Sequence, residues 1–320
     1  MCALRTGDAK LTDALRAARL YFLQDMTMEE IACDMATSRS SVSRMIALAK
    51  AEGLIEFRLR DPEGAKPALE SLLQARFRVD AHVVPIPEPC SDLNILEHVA
   101  QSAAWRLGTI FESGMVLGVA WGTTTGAVSR HVSRRATHGS DIVQLNGASN
   151  TVSTGIDYAS DILSRFGRAF GARVQQFPVP TFFDYAETKR CLWRERSIVR
   201  ILELQARADV VIFSVGGFCG GVPSHVYSGG FLEREDYAVL QRCGAVGDVA
   251  THFLREDGTY DAIPLNERSS GPSPDVLRRA ARRICVVAGQ HKVVGLRGAL
   301  AAGLVTDLVL DEQTAASLLA

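Results

Sequence analysis

The sequence predicts an α/β chain in which a small helix-turn-helix head precedes a doubly wound, mostly parallel-sheet domain. Residues 27–46, TMEEIACDMATSRSSVSRMI, show the caps and apolar spacing of two short helices joined by a tight turn. Beyond residue 67, apolar runs of strand length alternate with segments of helical period, which is typical of parallel sheets covered by helices. Residues 61–67, DPEGAKP, interrupt both periodicities with two prolines and a glycine. We therefore predict a head over residues 1–60, a linker over 61–67 and a larger domain over 68–320.

The composition is that of a globular chain without metal or membrane chemistry. At 320 residues the chain has room for two domains of about 150 residues each, and its 47% hydrophobic residues can form substantial cores. The net charge of −1 excludes a general affinity for polyanions, so a nucleic-acid contact must come from a local patch. The seven cysteines include no CxxC pair and no Cys/His cluster with metal-ligand spacing, which favours a reducing compartment. No apolar stretch is long enough to cross a bilayer, so we expect a cytoplasmic protein without membrane contact.

The first helix of the motif begins with a capping box. Thr27 is followed three residues later by Glu30, a spacing at which each side chain accepts a hydrogen bond from the backbone N–H of the other residue. The helix is therefore predicted to begin at Met28, and the small Ala32 lets a second helix cross closely. Ala36 occupies the turn position that glycine commonly fills, so a positive φ at this residue would be strained.

The second helix carries the polar face that is predicted to contact DNA. Ser38 caps this helix, and apolar residues at three- and four-residue steps are expected to pack inward: Val42, Met45, Ile46 and Ala49. Residues 38–50 contain three basic side chains and no acidic one, which is the charge that a phosphate backbone attracts. The side chains expected on a double-stranded DNA operator are Ser38, Arg39, Ser40, Ser41, Ser43, Arg44 and Lys50. The alternative is an ordinary helical hairpin without a nucleic-acid partner.

Two further segments complete the head. DALRAARLYFLQ at 13–24 is predicted to form a helix that packs on the motif, and EGLIEFRL at 52–59 is predicted to form a short strand or wing. The head is therefore a three-helix or winged-helix-like domain that ends near residue 60.

Four apolar runs and five helical segments predict the larger domain. The strands are MVLGVAW at 115–121, DIVQL at 141–145, DVVIFSVG at 209–216 and ICVVAG at 284–289. The helical candidates are residues 94–111, 124–135, 187–206, 233–241 and 293–302. Ligands of doubly wound sheets bind beyond the carboxyl ends of the strands, so the loops after these strands form the candidate site.

The loop after the first of these strands has the composition of an anion site. Gly122, Thr123, Thr124, Thr125 and Gly126 combine close backbone approach with three hydroxyl groups and the N-terminus of a helix, which suits a phosphate group. Threonine also caps helices routinely, so a purely structural role is the alternative.

Polar residues follow other apolar or glycine-rich segments. Asn146 and Gly147 follow DIVQL, Asp248 follows a GAVG segment, and Lys292 comes shortly after ICVVAG. Together these residues suit a phosphate, sugar hydroxyls and a carbonyl or ring oxygen. Taken singly, Asp248 as a helix cap and Lys292 as a solvated surface lysine are the alternatives.

Five landmarks in order along the chain resemble the SorC-type (DeoR-like) sugar-responsive bacterial transcription regulators. They are GVAWGTTT at 118–125, LNGASN at 145–150, ADVVIFSVGGF at 208–218, GAVGDV at 244–249 and the segment that runs from VVAGQHK at 286–292 to residue 319. SRSSVSRMI and AEGLIEF resemble the N-terminal head of the same family, so the resemblance covers nearly the whole chain. It implies an effector domain with the broad fold of sugar-phosphate isomerases and a regulator's pocket instead of an active site.

The resemblance also implies roles for single residues. The phosphate of the effector would be bound by Gly122, Thr123, Thr124 and Thr125 with Lys292 in support, and its hydroxyl groups by Asn146, Gly147 and Asp248. Members of this family commonly form homodimers or homotetramers on palindromic operators. We therefore expect a sequence-specific DNA-binding regulator of carbohydrate catabolism genes, gated by a sugar, polyol or sugar-phosphate effector, with no cofactor.

The alternative is an enzyme, a sugar-phosphate isomerase or deaminase with an appended helix-turn-helix. Asp248 would be its general base and Lys292 its electrophile, since proton abstraction next to a carbonyl needs such a pair. Turnover of pentose or hexose phosphates would distinguish the enzyme from a regulator, which binds its effector unchanged.

Overall fold

A computed structural model describes residues 3–55, 65–87, 89–218 and 224–320 of the chain. The chain divides into two compact units, Met1–Pro62 and Glu63–Ala320. The helices of the head are α1 (Ala3–Leu23), α2 (Met28–Asp34) and α3 (Arg39–Ala51). The helices of the larger unit are α4 (Ala65–Phe77), α5 (Asp92–Ile110), α6 (Thr123–His131), α7 (Ile156–Phe170), α8 (Ala186–Leu192), α9 (Arg196–Ala206), α10 (His225–Ser228), α11 (Arg234–Arg242), α12 (Pro264–Arg268), α13 (Pro274–Leu277), α14 (Val293–Ala301) and α15 (Glu312–Leu319), with a 3₁₀ turn at Gln290–Lys292. The strands are β1 (Asp80–Val84), β2 (Val116–Val119), β3 (Asp141–Gln144), β4 (Arg173–Gln175), β5 (Val210–Phe213), β6 (Val215–Gly216), β7 (Gly247–Val249), β8 (His252–Leu254), β9 (Arg282–Val287) and β10 (Asp307–Asp311).

The head contains the two capped helices that its sequence predicts. Helix α2 begins at Met28, where the Thr27 N–H donates to Glu30 Oε2 at 2.8 Å and the Glu30 N–H donates to Thr27 Oγ1 at 3.3 Å. Helix α3 follows Ser38, whose hydroxyl oxygen accepts a hydrogen bond from the Ser41 N–H at 3.2 Å. Both predicted caps are confirmed. The buried apolar side chains that hold the three helices together include Ala17, Ile31, Ala32, Val42 and Ile46.

The turn between α2 and α3 is strained at Ala36, whose φ is 49°. This conformation costs a non-glycine residue about 1–2 kcal/mol, whereas glycine loses up to about 1 kcal/mol of backbone entropy on folding. We therefore expect Ala36→Gly to stabilise the head by up to about 1 kcal/mol, measured by hydrogen exchange of the α2 and α3 amides in the full chain. Ala47, exposed within α3, is the control, because glycine there should destabilise the helix by about 1 kcal/mol. Similar destabilisation by both substitutions would contradict the strain at Ala36.

The end of the head differs in part from the prediction. Helix α3 ends at Ala51 and residues 52–54 form a turn and a bend, so the predicted strand does not begin at Glu52, and residues 56–59 lie outside the described residues. Of the predicted linker, residues 61–64 also lie outside them, whereas residues 65–67 form the start of α4. Proline is tolerated in the first turn of a helix because the N–H it lacks would have no partner there. The prolines of residues 61–67 are therefore compatible with the start of α4 at Ala65.

Seven strands of the larger unit form one parallel sheet in the order β1-β10-β9-β5-β2-β3-β4. Strand β2 pairs in parallel with β3 on one side and with β5 on the other. The chain runs from β2 outward to β4 and then returns to β5 before it continues to β9 and β10. The strand order thus reverses between β2 and β5, which is where doubly wound sheets bind their ligands. The predicted α/β class with a mostly parallel sheet is confirmed.

The central strands are buried on both faces. In β5, Val210 and Ile212 belong to the core that includes α5, α6 and α7, while Val211 and Phe213 belong to the core that includes α9, α14 and α15. Successive side chains of a strand point to opposite faces, so a continuous apolar run fills two cores at once. This packing anchors the loops at the carboxyl ends of the strands.

The structure corrects several predicted elements. DVVIFSVG is not one strand, because β5 ends at Phe213 and β6 joins β7 and β8 in a separate antiparallel sheet. The helix predicted over 187–206 is two helices, α8 and α9. Strands β1, β4, β7, β8 and β10 were not predicted; β4, β7 and β8 are only three residues long and give a weak apolar signal. Within the described ranges, no helix is long and apolar enough to cross a membrane.

Candidate functional site

Loops that follow β2, β3, β5 and β9 meet at a small cavity beside the β2/β5 switch point. Its volume is about 30 Å³. The predicted effector residues that line it are Gly122, Thr123, Thr124, Thr125, Asn146, Asp248 and Lys292. The fold therefore brings together residues that are up to 170 positions apart in the chain, counted from Gly122 to Lys292.

The loop after β2 presents the start of a helix to this cavity. Helix α6 begins at Thr123, so the N-terminus of this helix lies beside the cavity. The buried Thr125 hydroxyl donates to the Ala120 carbonyl at 2.7 Å, which holds the loop against the end of β2. The Thr124 hydroxyl oxygen accepts a hydrogen bond from Lys292 Nζ at 3.2 Å. The loop thus combines backbone donors and the positive end of a helix dipole, both of which favour an anion.

Lys292 places a buried ammonium group in the same cavity. The residue is only 7% exposed, so the alternative of a solvated lysine is wrong. Among the described residues its hydrogen-bond partners are two hydroxyl groups, Thr124 Oγ1 at 3.2 Å and Ser214 Oγ at 3.5 Å, and not a carboxylate. Burial lowers the pKa of Lys292 to about 8, against the opposing effect of Asp248. A buried cation without a directly paired carboxylate is unfavourable unless an anion joins it.

The lowered pKa of Lys292 predicts how anion binding depends on pH. A bound anion interacts with the protonated ammonium, so binding above the free-state pKa of about 8 requires proton uptake. The affinity for a phosphorylated sugar should therefore fall above pH 8, by up to about tenfold per pH unit. Isothermal titration between pH 7 and pH 9.5 measures this fall. A pH-independent affinity over that range would show that Lys292 does not face the anion.

Asn146 presents an amide group without a protein partner. The residue is 1% exposed, and neither Oδ1 nor Nδ2 has a hydrogen-bond partner among the described residues, although the side chain borders the cavity. Its backbone is fixed, because Trp121 Nε1 and Gln144 Nε2 both donate to the Asn146 carbonyl, at 2.9 and 2.7 Å. A buried amide costs free energy unless its donor and acceptor are satisfied. The unsatisfied amide is thus a group that a polar ligand would complete.

Asp248 lies within strand β7 and does not cap a helix, so that alternative is wrong. Its Oδ1 accepts from the Tyr227 hydroxyl at 2.9 Å, and its Oδ2 accepts from the Thr251 N–H at 2.9 Å. A Cβ at Gly216 would lie 1.9 Å from Asp248 Oδ1, so the neighbouring strand needs glycine there. Burial raises the pKa of Asp248 to about 6, even though Tyr227, Thr251 and Lys292 all favour the ionised form.

Gly147 is the predicted effector residue that does not line the cavity. Its N–H donates to Ser270 Oγ at 2.9 Å, and its carbonyl accepts from Trp121 Nε1 and Thr181 Oγ1, both at 2.9 Å. A Cβ at this position would lie 2.3 Å from the Val179 carbonyl oxygen. Glycine is therefore required here for close packing of two backbone segments, and its polar groups are already satisfied.

The residues that line the cavity but were not predicted from the sequence include Trp121, Ser214, His225 and Thr251. Ser214 directly follows β5. A prediction that ended this strand at Phe213 would have placed Ser214 in a loop at the carboxyl end of the sheet, where ligands bind. His225 and Thr251 reach the cavity from α10 and from the β7–β8 hairpin, which carry no strand-end signal. In the part of the chain that the structure describes, no group of three or more His, Cys, Asp or Glu side chains could hold a metal ion.

The predicted DNA contacts lie on α3 or at its cap. Ser38, Arg39, Ser40, Ser43, Arg44 and Lys50 are exposed, and Ser41 is half-buried. Arg39 Nε lies 2.7 Å from Glu29 Oε1, and Arg44 donates from Nη2 to Ser41 Oγ at 3.3 Å. Both guanidinium groups therefore lie at the solvent-exposed N-terminal part of α3, where a recognition helix contacts base edges.

Comparisons with known proteins identify the family. Residues 64–320 match the family described as "Putative sugar-binding domain". The deoxyribonucleoside regulator of Bacillus subtilis (strain 168) is 30% identical over 308 residues, which are 95% of this chain and 96% of that protein. The erythritol catabolism regulatory protein EryD of Brucella abortus (strain 2308) is 25% identical over 320 residues, which are 98% of each protein. These relatives are regulators and not enzymes.

Solved structures share the fold. A domain of a possible sugar-binding transcriptional regulator from Arthrobacter aurescens TC1 is 52% identical, with a TM-score of 0.76, over 82% of this chain and 100% of that chain. The full-length sorbitol operon regulator SorC from Klebsiella pneumoniae is 20% identical and shares the fold, with a TM-score of 0.72 over 97% of this chain and 99% of that chain. The chain therefore belongs to the SorC/DeoR-type family of sugar-binding transcriptional regulators.

Proposed function

We propose that the chain controls carbohydrate catabolism genes in response to a sugar, polyol or sugar phosphate, and that the effector is phosphorylated. The observation that carries this proposal is the buried Lys292 ammonium, whose partners in the described ranges are hydroxyl groups and which borders the N-terminus of α6. A phosphate group bound there would accept from Lys292 and from the backbone N–H groups of Thr123 and Thr124. The regulators of deoxyribonucleoside, erythritol and sorbitol genes among the relatives support a polyhydroxylated effector.

The hydroxyl groups of the effector are assigned to the other side of the cavity. Asn146 offers one acceptor and two donor hydrogens to neighbouring hydroxyls, and none of them is used by the residues that the structure describes. Asp248 has acceptor capacity beyond its two present bonds, since each carboxylate oxygen carries two lone pairs. We propose that these two residues read the hydroxyl pattern of the sugar or polyol.

The output of the protein is proposed to be DNA binding through α3. With a net charge of −1, affinity for an operator needs the local arginines and the combined effect of two or more heads, so we propose a cytoplasmic homodimer or homotetramer on a double-stranded operator. An effector changes such binding only if it prefers one arrangement of the subunits over another. The effector would therefore shift the population between arrangements that bind the operator strongly and weakly.

A thermal-shift panel tests the effector class. Erythritol, sorbitol, ribose and the monophosphate of each are added to the full chain, and the midpoint of thermal unfolding is recorded. A compound that binds only the folded state raises the midpoint by mass action, so at least one phosphate should raise it more than its unphosphorylated partner. Stabilisation by the free sugars alone would contradict a phosphorylated effector.

A further inference from the structure

The candidate effector cavity is too small in this conformation to hold a sugar phosphate. Its volume is about 30 Å³. Pockets that bind small molecules have volumes of about 300 Å³ or more, which is roughly ten times larger. His225 and Val226 of α10 form part of its wall. The residues that line a larger cleft of about 490 Å³ include Gly230 and Phe231, which come shortly after α10. A sugar phosphate therefore needs a movement of this wall before it can occupy the cavity.

Aromatic contacts hold α10 against the binding loops. The His225 ring lies 4.4 Å from the Tyr158 ring and 5.7 Å from the Trp121 ring, measured between centroids. Phe231 lies 5.2 Å from Trp121. Gly230, between α10 and Phe231, has a φ of 74°, a conformation that glycine adopts without strain and that suits a hinge. Because α10 belongs to neither sheet, its outward movement would leave the strand pairing intact.

One polar contact also joins α10 to the site. The Tyr227 hydroxyl donates to Asp248 Oδ1 at 2.9 Å, and Tyr237 steadies this residue by donating to the Tyr227 carbonyl at 2.7 Å. Burial of the hydroxyl raises the pKa of Tyr227 well above its ordinary value, although part of the ring remains exposed, so the hydroxyl stays protonated at neutral pH. Thr251 donates to the other carboxylate oxygen. Each oxygen of Asp248 therefore already has one protein donor.

We infer that Tyr227 is an internal competitor of the effector: its hydroxyl takes the place of an effector hydroxyl on Asp248 and so holds α10 closed over the cavity. When the effector enters, α10 swings outward, the Tyr227 hydroxyl leaves Asp248, and a hydroxyl of the effector replaces it. The Thr251 N–H stays on the second oxygen and keeps the carboxylate in position. The inference rests on the proposed function, because it takes Asp248 as a contact of the bound effector.

Internal competition predicts an unusual direction for a substitution in a ligand site. A closed state that excludes the ligand lowers its apparent affinity by the fraction of molecules that are open. Tyr227→Phe removes one oxygen atom and keeps the ring contacts, so it weakens only the closed state. A hydrogen bond to a charged group is strong enough to shift such an equilibrium about tenfold, and we expect effector binding to tighten by about three- to tenfold.

Quenching of Trp121 fluorescence by acrylamide tests the closure without any effector. In the full chain with W105F and W193F, Trp121 is the single tryptophan, and it is only 5% exposed. Tyr227→Phe should raise the quenching constant by about twofold or more, because α10 leaves Trp121 more often. Tyr185→Phe makes the same chemical change at an exposed tyrosine of the larger cleft and should leave the constant unchanged. Equal quenching in the two variants would overturn the inference.

Titration with ribose 5-phosphate and erythritol 4-phosphate tests the competition itself. Tighter binding by Tyr227→Phe than by the parent chain supports it, with Tyr185→Phe again as the control. Unchanged or weaker binding by Tyr227→Phe overturns it, because a residue that helps to hold the effector would give that result. If no variant binds either phosphate at millimolar concentration, the proposed phosphorylated effector is contradicted, and the quenching result alone decides whether Tyr227 closes the cavity.

Discussion

Lys292→Met is expected to abolish the response to a phosphorylated effector while operator binding is retained. Methionine keeps the length and apolar stem of the side chain and removes the only buried cation that the described residues place in the cavity. Removal of one partner from a buried, hydrogen-bonded charge pair costs about 2–5 kcal/mol, so affinity for a phosphorylated sugar should fall by about 30-fold or more. The residues on α3 that are predicted to bind DNA belong to the other compact unit, so operator affinity without effector should be unchanged.

Lys189→Met is the matched control for this substitution. Lys189 is also partly buried, and burial lowers its pKa, but it lies outside the cavity with its Nζ 3.5 Å from the Asn266 carbonyl oxygen. Effector affinity is measured by isothermal titration and operator affinity by fluorescence anisotropy for both variants. If the Lys292→Met variant binds the phosphorylated sugar as tightly as the parent chain does, Lys292 does not form an anion site.

Arg39→Ala and Arg44→Ala are expected to weaken operator binding. Each arginine is exposed on α3 and can form two hydrogen bonds with a guanine edge, or contact a phosphate. Loss of a base contact should cost about 1–3 kcal/mol and relax specificity, whereas loss of a phosphate contact should weaken binding to all sequences and reduce the salt dependence. The ion pair between Arg39 and Glu29 would be exchanged for the DNA contact, so Glu29→Gln should strengthen rather than weaken binding.

Arg16→Ala is the control for the recognition helix. Arg16 is another exposed arginine of the head; it pairs with Asp34 at 3.0 Å and lies on α1. Anisotropy titrations of a duplex from the chain's own upstream region, at several salt concentrations and against a scrambled duplex, compare the variants. If Arg39→Ala and Arg44→Ala bind the operator as well as Arg16→Ala does, α3 is not the recognition helix.

The elements that could be predicted from the sequence are those fixed by local chemistry. The Thr27–Glu30 box sets the start of α2 through bonds three residues apart, and the runs that became β2, β3 and β9 are buried on both faces whatever their neighbours. The strand-end rule then located the cavity loops, since parallel strands carry their carboxyl ends to one edge. Lys292 and Asn146 were found in this way without knowledge of their contacts.

The features that could not be predicted from the sequence depend on contacts between segments that are distant in the chain. Asp248 was expected to follow a glycine-rich segment, but it lies in a short antiparallel hairpin whose pairing with β6 no local pattern shows. Its hydrogen bond to Tyr227 joins residues 21 positions apart, and the packing of Gly147 on Val179 joins segments more than 30 positions apart. Such contacts follow from the assembled fold, so they decide which of the predicted polar residues are free to bind a ligand.

Release of operator DNA by an effector tests the central claim most directly. A labelled duplex from the chain's own upstream region is bound to the full chain at moderate salt, and each member of the sugar and sugar-phosphate panel is added while anisotropy is recorded. We predict that one phosphorylated sugar or polyol changes operator affinity by about fivefold or more, and that Lys292→Met abolishes this change. Sequence-selective binding that no member of the panel alters, or that Lys292→Met leaves equally responsive, would contradict the account.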